Sequence, residues 1–242
     1  MTAKPRLDQL LVDRGLVESR EKAKALIIAG EVTVDGQKQT KPGHTVSLEV
    51  RIELLSKPRY VGRGGLKLEG ALTHFAIDPA GLTCLDIGSS TGGFTDCLLQ
   101  HGAAKVYAID SGTNQLDWKL RNDPRVIVRE NFNARLLESA QVPEPIDLLV
   151  CDVSFISVTL VLPPAILLLR EHASMVILIK PQFEAGRQQV GKGGIVRDRG
   201  VHEQVCRRIE SFVQELGFQT SIIDSPILGA EGNREFLLYA HR

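Results

Sequence analysis

Three ionisable side chains stand where short apolar runs stop or start. Asp152 ends IDLLVCD, Lys180 ends SMVILIK just before Pro181, and Glu235 opens EFLLYA. An amine between two carboxylates can hold, deliver or take up a proton, provided that the three meet at one place. A fourth feature, CLDIGSSTGGFTD at residues 84–96, ends an apolar run on Asp86 and continues through Gly88, Gly92 and Gly93. Such a turn joins a strand, an uncovered backbone and a helix N-terminus, a combination suited to holding a small molecule. It is not the G-x-G-x-x-G of a dinucleotide site, because Ser89, Ser90 and Thr91 separate Gly88 from Gly92. A second glycine-rich stretch, GRQQVGKG at 186–193, carries G-x-x-x-x-G-K but has Gly193 where a phosphate loop needs Ser or Thr for magnesium. Residues 184–200 read instead as a flexible basic loop with Arg187, Lys192, Arg197 and Arg199. It is either an ordinary surface loop or a lid that touches substrate phosphates.

Elements that could bring these residues together are visible in the apolar pattern. Short, β-branched runs at about 82–87, 105–109, 125–128, 146–151 and 175–179 alternate with helical stretches, the mark of a parallel sheet covered on both faces. The end, GFQTSIIDSPILGAEGNREFLLYAHR, has two extended runs with no helix between them, which can pair antiparallel. An antiparallel strand begins on the edge where parallel strands finish, so Glu235, Asp152 and Lys180 are expected at one crevice.

The first fifty residues read differently. Leu7, Leu10 and Leu11 predict a helix over 6–14, and Ser19 can cap a second that Gly30 ends. EVTVDGQ turns at Asp35-Gly36, a hairpin signal, and HTVSLEV is a further extended piece. The boundaries expected are a small domain at 1–50, a connector at 51–62 and a large domain at 63–242.

The net charge is zero, yet residues 1–70 hold 13 Lys and Arg against 9 Asp and Glu, which makes that end the better partner for a polyanion. Cys84, Cys97, Cys151 and Cys206 are scattered, with neither C-x-x-C nor His at ligand spacing. They are expected to be reduced thiols of a cytoplasmic protein, with no metal site. The N-terminal MTAKPRLDQLL lacks a signal-peptide core. Residues 148–169 imitate a membrane span, but Asp152 and Pro163-Pro164 interrupt them, so a buried strand and helix are expected and no membrane partner.

Asp86-x-Gly88-x-x-x-Gly92 resembles motif I of the S-adenosylmethionine-dependent methyltransferases, and Asp110, ending VYAID, is placed to accept both ribose hydroxyls of that cofactor. More widely, the pieces RGGLKL, DIGSSTGGFTD, DPRVIVRENFNAR, DVSFIS, IKPQFEAGR, VGKGGIVRD and GNREFLLYA resemble the TlyA-type (haemolysin A) ribosomal RNA 2′-O-methyltransferases, whose catalytic half is FtsJ-like. RLDQLLVDRGLVESREKAKALIIAGEVTVDG is similar to the S4 RNA-binding fold.

The resemblance implies a doubly wound, mostly parallel seven-stranded α/β sheet with a small α+β S4-like domain. S-adenosylmethionine is then the cofactor and ribosomal RNA, in a ribosomal subunit, the partner. It puts the family's Lys-Asp-Lys-Glu tetrad on Lys67, Asp152, Lys180 and Glu235. The cofactor set becomes Asp86, Gly88, Ser89, Ser90, Thr91, Gly92, Gly93, Phe94, Asp110, Asn133 and Asp152. Phe132 stands where relatives tend to have Thr, which bears on the adenine side alone. Candidate RNA contacts are Arg6, Arg14, Arg20, Lys22 and Lys24, with Arg187 and Lys192 in the second domain. The connector near Ser56–Tyr60 is a candidate link between RNA docking and cofactor affinity.

Three alternatives stand beside this reading. Base N-methylation would use the D-x-x-F spacing of Asp152 and Phe155, although both prolines of the usual motif are missing. A membrane-active haemolysin and an RNA-binding protein without catalysis are the others.

Overall fold

Leu7, Leu10 and Leu11 lie on the buried face of α1 (Leu7–Asp13) and meet Ala23 and Ile27 of α2 (Arg20–Ile28), which Ser19 caps by accepting the Lys22 N–H at 3.2 Å. In the computed structural model, residues 4–55 and 59–242 are described, the side chain of Ala230 excepted. The chain divides into two compact units, Met1–Arg59 and Tyr60–Arg242.

In the first unit, β1 (Val32–Val34) and β2 (Gln37–Gln39) form the expected hairpin. Asp35 and Gly36 both adopt positive φ, +50° and +79°, as a two-residue turn of the right twist requires. The third strand differs from expectation. Thr45 makes a single bridge to Arg6, and β3 is Ile52–Leu54, antiparallel to β1 and inside the segment read as connector. The cause is local. Arg14 donates to the carbonyls of Leu48 and Val50, taking acceptors that a strand over 44–50 would need. Residues 56–58 of the proposed coupling segment lie outside the described residues.

Asp8 organises the surface of this unit. Its side chain is 0% exposed and accepts from Arg6 Nε and Nη2 and from Arg20 Nε, each at 3.0 Å. The Arg6 hydrogen bonds, seconded by Arg20 and opposed by burial, bring its acid down to about 2.

The second unit contains α3 (Gly64–His74), β4 (Thr83–Ile87), α4 (Gly93–Gln100), β5 (Lys105–Ile109), α5 (Trp118–Arg121), β6 (Val126–Arg129) and β7 (Ile146–Cys151). It continues with α6 (Val158–Ile166), β8 (Leu169–Ile179), α7 (Pro181–Glu184), α8 (Arg199–Glu215), β9 (Gln219–Asp224) and β10 (Phe236–His241). The seven strands run in the order β6-β5-β4-β7-β8-β10-β9. Pairing is parallel from β6 to β8, while β10 is antiparallel to both β8 and β9.

Alternate residues serve opposite faces of the sheet. Leu85 and Ile87 pack with α6 and α8, whereas Cys84 packs with α3 and α4. The apolar stretch at 148–169 is β7, a polar loop and α6. No helix among the described residues is long and apolar enough to cross a membrane. Cys84, Cys97 and Cys151 are buried and Cys206 is half-buried, all as free thiols.

The Asp8 cluster yields a pH-dependent outcome. Because its folded pKa of about 2 lies below the unfolded value of about 3.9, the stabilisation is present above about pH 4 and is lost as pH falls towards 2. Discounting for half-exposed guanidinium partners, Asp8→Asn should cost about 1–2 kcal/mol at pH 7. Denaturant unfolding of both proteins should show that difference shrinking between pH 4 and pH 2.

Candidate functional site

At the end of β4 the chain leaves the sheet through Gly88, at φ +84°. A Cβ on this residue would lie 2.5 Å from the Asp152 carbonyl oxygen, a backbone atom that cannot swing aside, so only glycine fits. The N–H groups of Gly88 and Ser89 donate to the Ile109 carbonyl at 2.8 and 3.2 Å, fixing the turn to the next strand. Asp110 follows. Its Oδ2 accepts from Ser90 N–H and its Oδ1 from Gly112 N–H, both at 2.7 Å. The carboxylate is held in one orientation, with lone pairs to spare for further donors.

These turns border a cleft of about 650 Å³, within the range of small-molecule sites. Gly88 and Ser90 line it from the turn after β4, Asp110 and Gln115 from the loop after β5, Phe132 and Asn133 from that after β6, and Asp152 and Phe155 from that after β7. It opens between β4 and β7, where the strand order reverses direction and ligands of open α/β sheets bind. Among the described residues lining it, Arg135 is the single cation, and its Nε donates to Asn133 Oδ1 at 3.2 Å. Apolar walls, two engaged carboxylates, bare backbone and one engaged cation suit a nucleoside without phosphate. S-adenosylmethionine fits that description.

Five of the expected cofactor residues therefore reach the cleft: Gly88, Ser90, Asp110, Asn133 and Asp152. The others support it from behind. Thr91 and Gly93 lie against Gly62 of the segment leading into α3, and Phe94 is buried in the α3–α4 layer. Asp86 is fully buried and its Oδ2 accepts from Thr95 Oγ1 at 2.6 Å, while its Oδ1 has no partner among the described residues. Burial is the main reason that its acid is pushed up to about 7. The Asp152 and Asp110 carboxylates add to the shift, and the Thr95 hydrogen bonds oppose it.

The four tetrad positions form two ion pairs, one of which reaches this cleft through Asp152. Lys180 Nζ lies 2.5 Å from Asp152 Oδ1 and donates to Ser154 Oγ at 2.9 Å. Lys67 Nζ donates to Glu235 Oε2 at 2.5 Å. Phe236 pairs with Ile179, so Glu235 stands across from Lys180 on the adjacent strand. A Cβ on Gly64, one turn before Lys67 in α3, would be 3.6 Å from Asp152 Oδ2. One strand edge and one helix thus gather two amines and two acids.

Several residues here were not singled out in the sequence. Ser154 holds Lys180. Phe155, noted only for a base-methylating motif, is 91% exposed at φ +65°, with its ring 4.9 Å from that of Phe183. Glu184 accepts from Ser157 Oγ, Val158 N–H and Arg208, tying the loop after β7 to the one after β8. The basic loop at 184–200 is less free than expected: Val196 is buried, donates to Asn233 Oδ1 and accepts from His202 Nε2.

Of the candidate RNA contacts, Arg6 and Arg20 flank Asp8, Arg14 is engaged with the Leu48 and Val50 carbonyls, and Lys22 pairs with Glu18 at 3.3 Å. Lys24 is half-buried, and Arg187 and Lys192 are exposed. A second groove, about 480 Å³ between α8 and β9, is lined by Arg199, Arg234, Glu203 and Asp224, which pair with one another; no tetrad residue lines it.

The chain matches the FtsJ-like methyltransferase family over residues 60–242 and the S4 domain over 5–52. It is 46% identical to "Hemolysin A" of Brachyspira hyodysenteriae, covering 97% of this chain and 98% of that one. It is 45% identical to the "16S/23S rRNA (cytidine-2'-O)-methyltransferase TlyA" of Mycobacterium tuberculosis, covering 99% and 90%. A solved structure described as a hemolysin from Streptococcus thermophilus superposes with a TM-score of 0.76 at 44% identity, covering 100% of this chain and 90% of the other.

Asp86 gives this site a pH signature. With a folded pKa of about 7 above an unfolded value of about 3.9, its fold-compatible form is the neutral acid. Stability from this group is complete below about pH 4 and declines as pH rises through 7. Asp86→Asn, which keeps an acceptor for Thr95, should flatten the loss of stability between pH 5 and pH 8 in denaturant titrations.

Proposed function

The chain belongs to the FtsJ-like methyltransferase family and carries an S4 domain, and from that premise we propose that it transfers a methyl group from S-adenosylmethionine to a ribose 2′-hydroxyl of ribosomal RNA. The observation that carries this reading is the pair of lysine–carboxylate contacts, Lys180 with Asp152 and Lys67 with Glu235, the first of which joins through Asp152 a cleft whose lining suits a nucleoside. Relatives with nearly full coverage, including one named for cytidine 2′-O-methylation of 16S and 23S rRNA, support it.

When bound, S-adenosylmethionine supplies an electrophilic methyl group. Of the residues lining the cleft, Asp110 would accept from the cofactor's ribose hydroxyls, and Asn133 and Phe132 would border its base. The acceptor hydroxyl is a very weak acid and attacks only as its proton is withdrawn or strongly polarised. Lys180, oriented by Asp152 and Ser154, takes up that proton as the free amine or polarises the hydroxyl as the ammonium. Lys67 and Glu235 fix the acceptor sugar and balance charge. Positioning the oxygen in line with the methyl group supplies much of the acceleration. Phe155, turned outward at the rim, offers its ring to the base of the target nucleotide. In the first unit, Asp8 presents Arg6 and Arg20 as a fixed pair for RNA phosphates, and Arg187 and Lys192 add exposed charge on the second unit.

Sugar methylation is favoured over base amino methylation because Asp152 and Ser154 are both engaged with Lys180. In a D-x-x-F arrangement those groups would have to receive an amino group instead.

Ribosomal RNA treated with the protein and isotopically labelled cofactor, then digested to nucleosides, should carry the label on the sugar; label on a base would overturn the reading. Lys180→Ala should lower kcat by roughly a hundredfold or more, as loss of a proton-handling group does, with cofactor Kd nearly unchanged by calorimetry. Phe155→Ala should raise KM for RNA and leave cofactor Kd unchanged in the same assays.

A further inference from the structure

Glu130, the first residue after β6, does not line the cleft, yet the loop that forms one of its walls is built around this side chain. Glu130 Oε1 accepts the N–H groups of Gln115 and Leu116 at 3.0 and 3.2 Å, and Oε2 accepts that of Asn114 at 2.9 Å. Arg121 Nη2 closes the cluster from α5, 2.7 Å from Oε2. Three consecutive backbone donors of the loop after β5 thus converge on one nearly buried carboxylate from the loop after β6. Two backbone bonds add to the seam: Asn131 N–H to the Gly112 carbonyl at 2.8 Å, and Phe132 N–H to that of Asp110 at 3.0 Å. Asn114 and Asn131 both sit at φ +55°, so neither loop follows a regular path by itself.

Burial alone would raise the Glu130 acid. The Arg121 guanidinium and the three amides outweigh that and bring it down to about 2. It is therefore charged across the physiological range, and its hydrogen bonds are of the stronger, charge-assisted kind. Without it, the three amides would turn to water and residues 111–117 would sample other paths, taking Gln115 with them and loosening the Gly112 N–H that orients Asp110.

We propose that Glu130 is a positioning residue for the adenosine half of the cofactor, holding the loop after β5 in the single shape that aims Asp110 and Gln115 into the cleft. The inference rests on the methyltransferase reading above and extends it to a residue that makes no contact with the ligand. It acts on affinity and not on the chemical step, because the Lys180–Asp152 pair hangs from β7 and β8, on the other side of β4. A binding-competent loop populated only part of the time weakens apparent affinity in proportion to that fraction.

Calorimetry with S-adenosylhomocysteine and with 5′-deoxy-5′-methylthioadenosine tests this. Glu130→Ala should weaken both by a similar factor, roughly tenfold, which corresponds to a loop that is competent about a tenth of the time. Glu130→Gln, keeping one acceptor oxygen, should lie between the two proteins and serves as the test should the alanine variant fail to fold. Hydrogen exchange at residues 114–116 should quicken in the ligand-free variants and slow again on binding, while kcat at saturating cofactor stays near the parent value. Folded variants with unchanged Kd for both nucleosides, or a fall in kcat without a change in Kd, would overturn the role of Glu130. A parent protein that binds neither nucleoside, with ribosomal RNA present as well as without it, would bring down the methyltransferase reading, and this inference with it.

Discussion

The site is laid out from a backbone contact. At Gly88 the turn after β4 presses against the peptide of Asp152, closer than any side chain would permit. That contact lies at the point where the sheet's winding reverses, so it sets how far the glycine turn after β4 stands from the Asp152–Lys180 pair. The neighbouring positions follow in steps of single hydrogen bonds. Ile109 receives the N–H groups of Gly88 and Ser89, Asp110 receives that of Ser90, and the side chain of Asp152 meets Lys180.

Around this point the strand-end loops are shaped by carboxylates in place of regular secondary structure. Asp110 collects two backbone N–H groups, Glu130 three, and Glu184 one together with a serine and an arginine. Each ties a loop to a neighbouring strand end, and each anion is matched by donors, so the negative charge on this edge does not accumulate as unpaired buried carboxylates. Lys67 with Glu235 and Lys180 with Asp152 obey the same rule. Removing one member of either pair leaves its partner as a buried or half-buried charge, a far larger penalty than the pair's net contribution.

Much of this was legible in the sequence, for identifiable reasons. Strand ends announce themselves when an apolar run stops at Asp152 or Lys180, because burial and charge exclude each other along a central strand. The Asp35-Gly36 turn was legible because few residue pairs accept two positive φ values. What escaped depends on partners distant in sequence. β3 at Ile52–Leu54 could not be placed without knowing that Arg14 occupies the carbonyls of Leu48 and Val50. Asp86 has the spacing of a ligand residue, yet its place in the strand turns it towards Thr95 and the α4 layer. Glu130 and Glu184 carry no local motif, since their partners are backbone amides whose direction only the folded loops define.

The placement of β10 between β8 and β9 has a consequence for synthesis. β9 touches the sheet solely through β10, although β10 is made after it. While the chain is emerging, the segment that becomes β9 has nothing to join, and Glu235, at the head of β10, cannot reach Lys67. Vectorial translation therefore keeps the acid–amine cluster unassembled until the last strand has left the exit tunnel. With this topology the Lys67–Glu235 pair can form only once β10 has emerged and paired with β8.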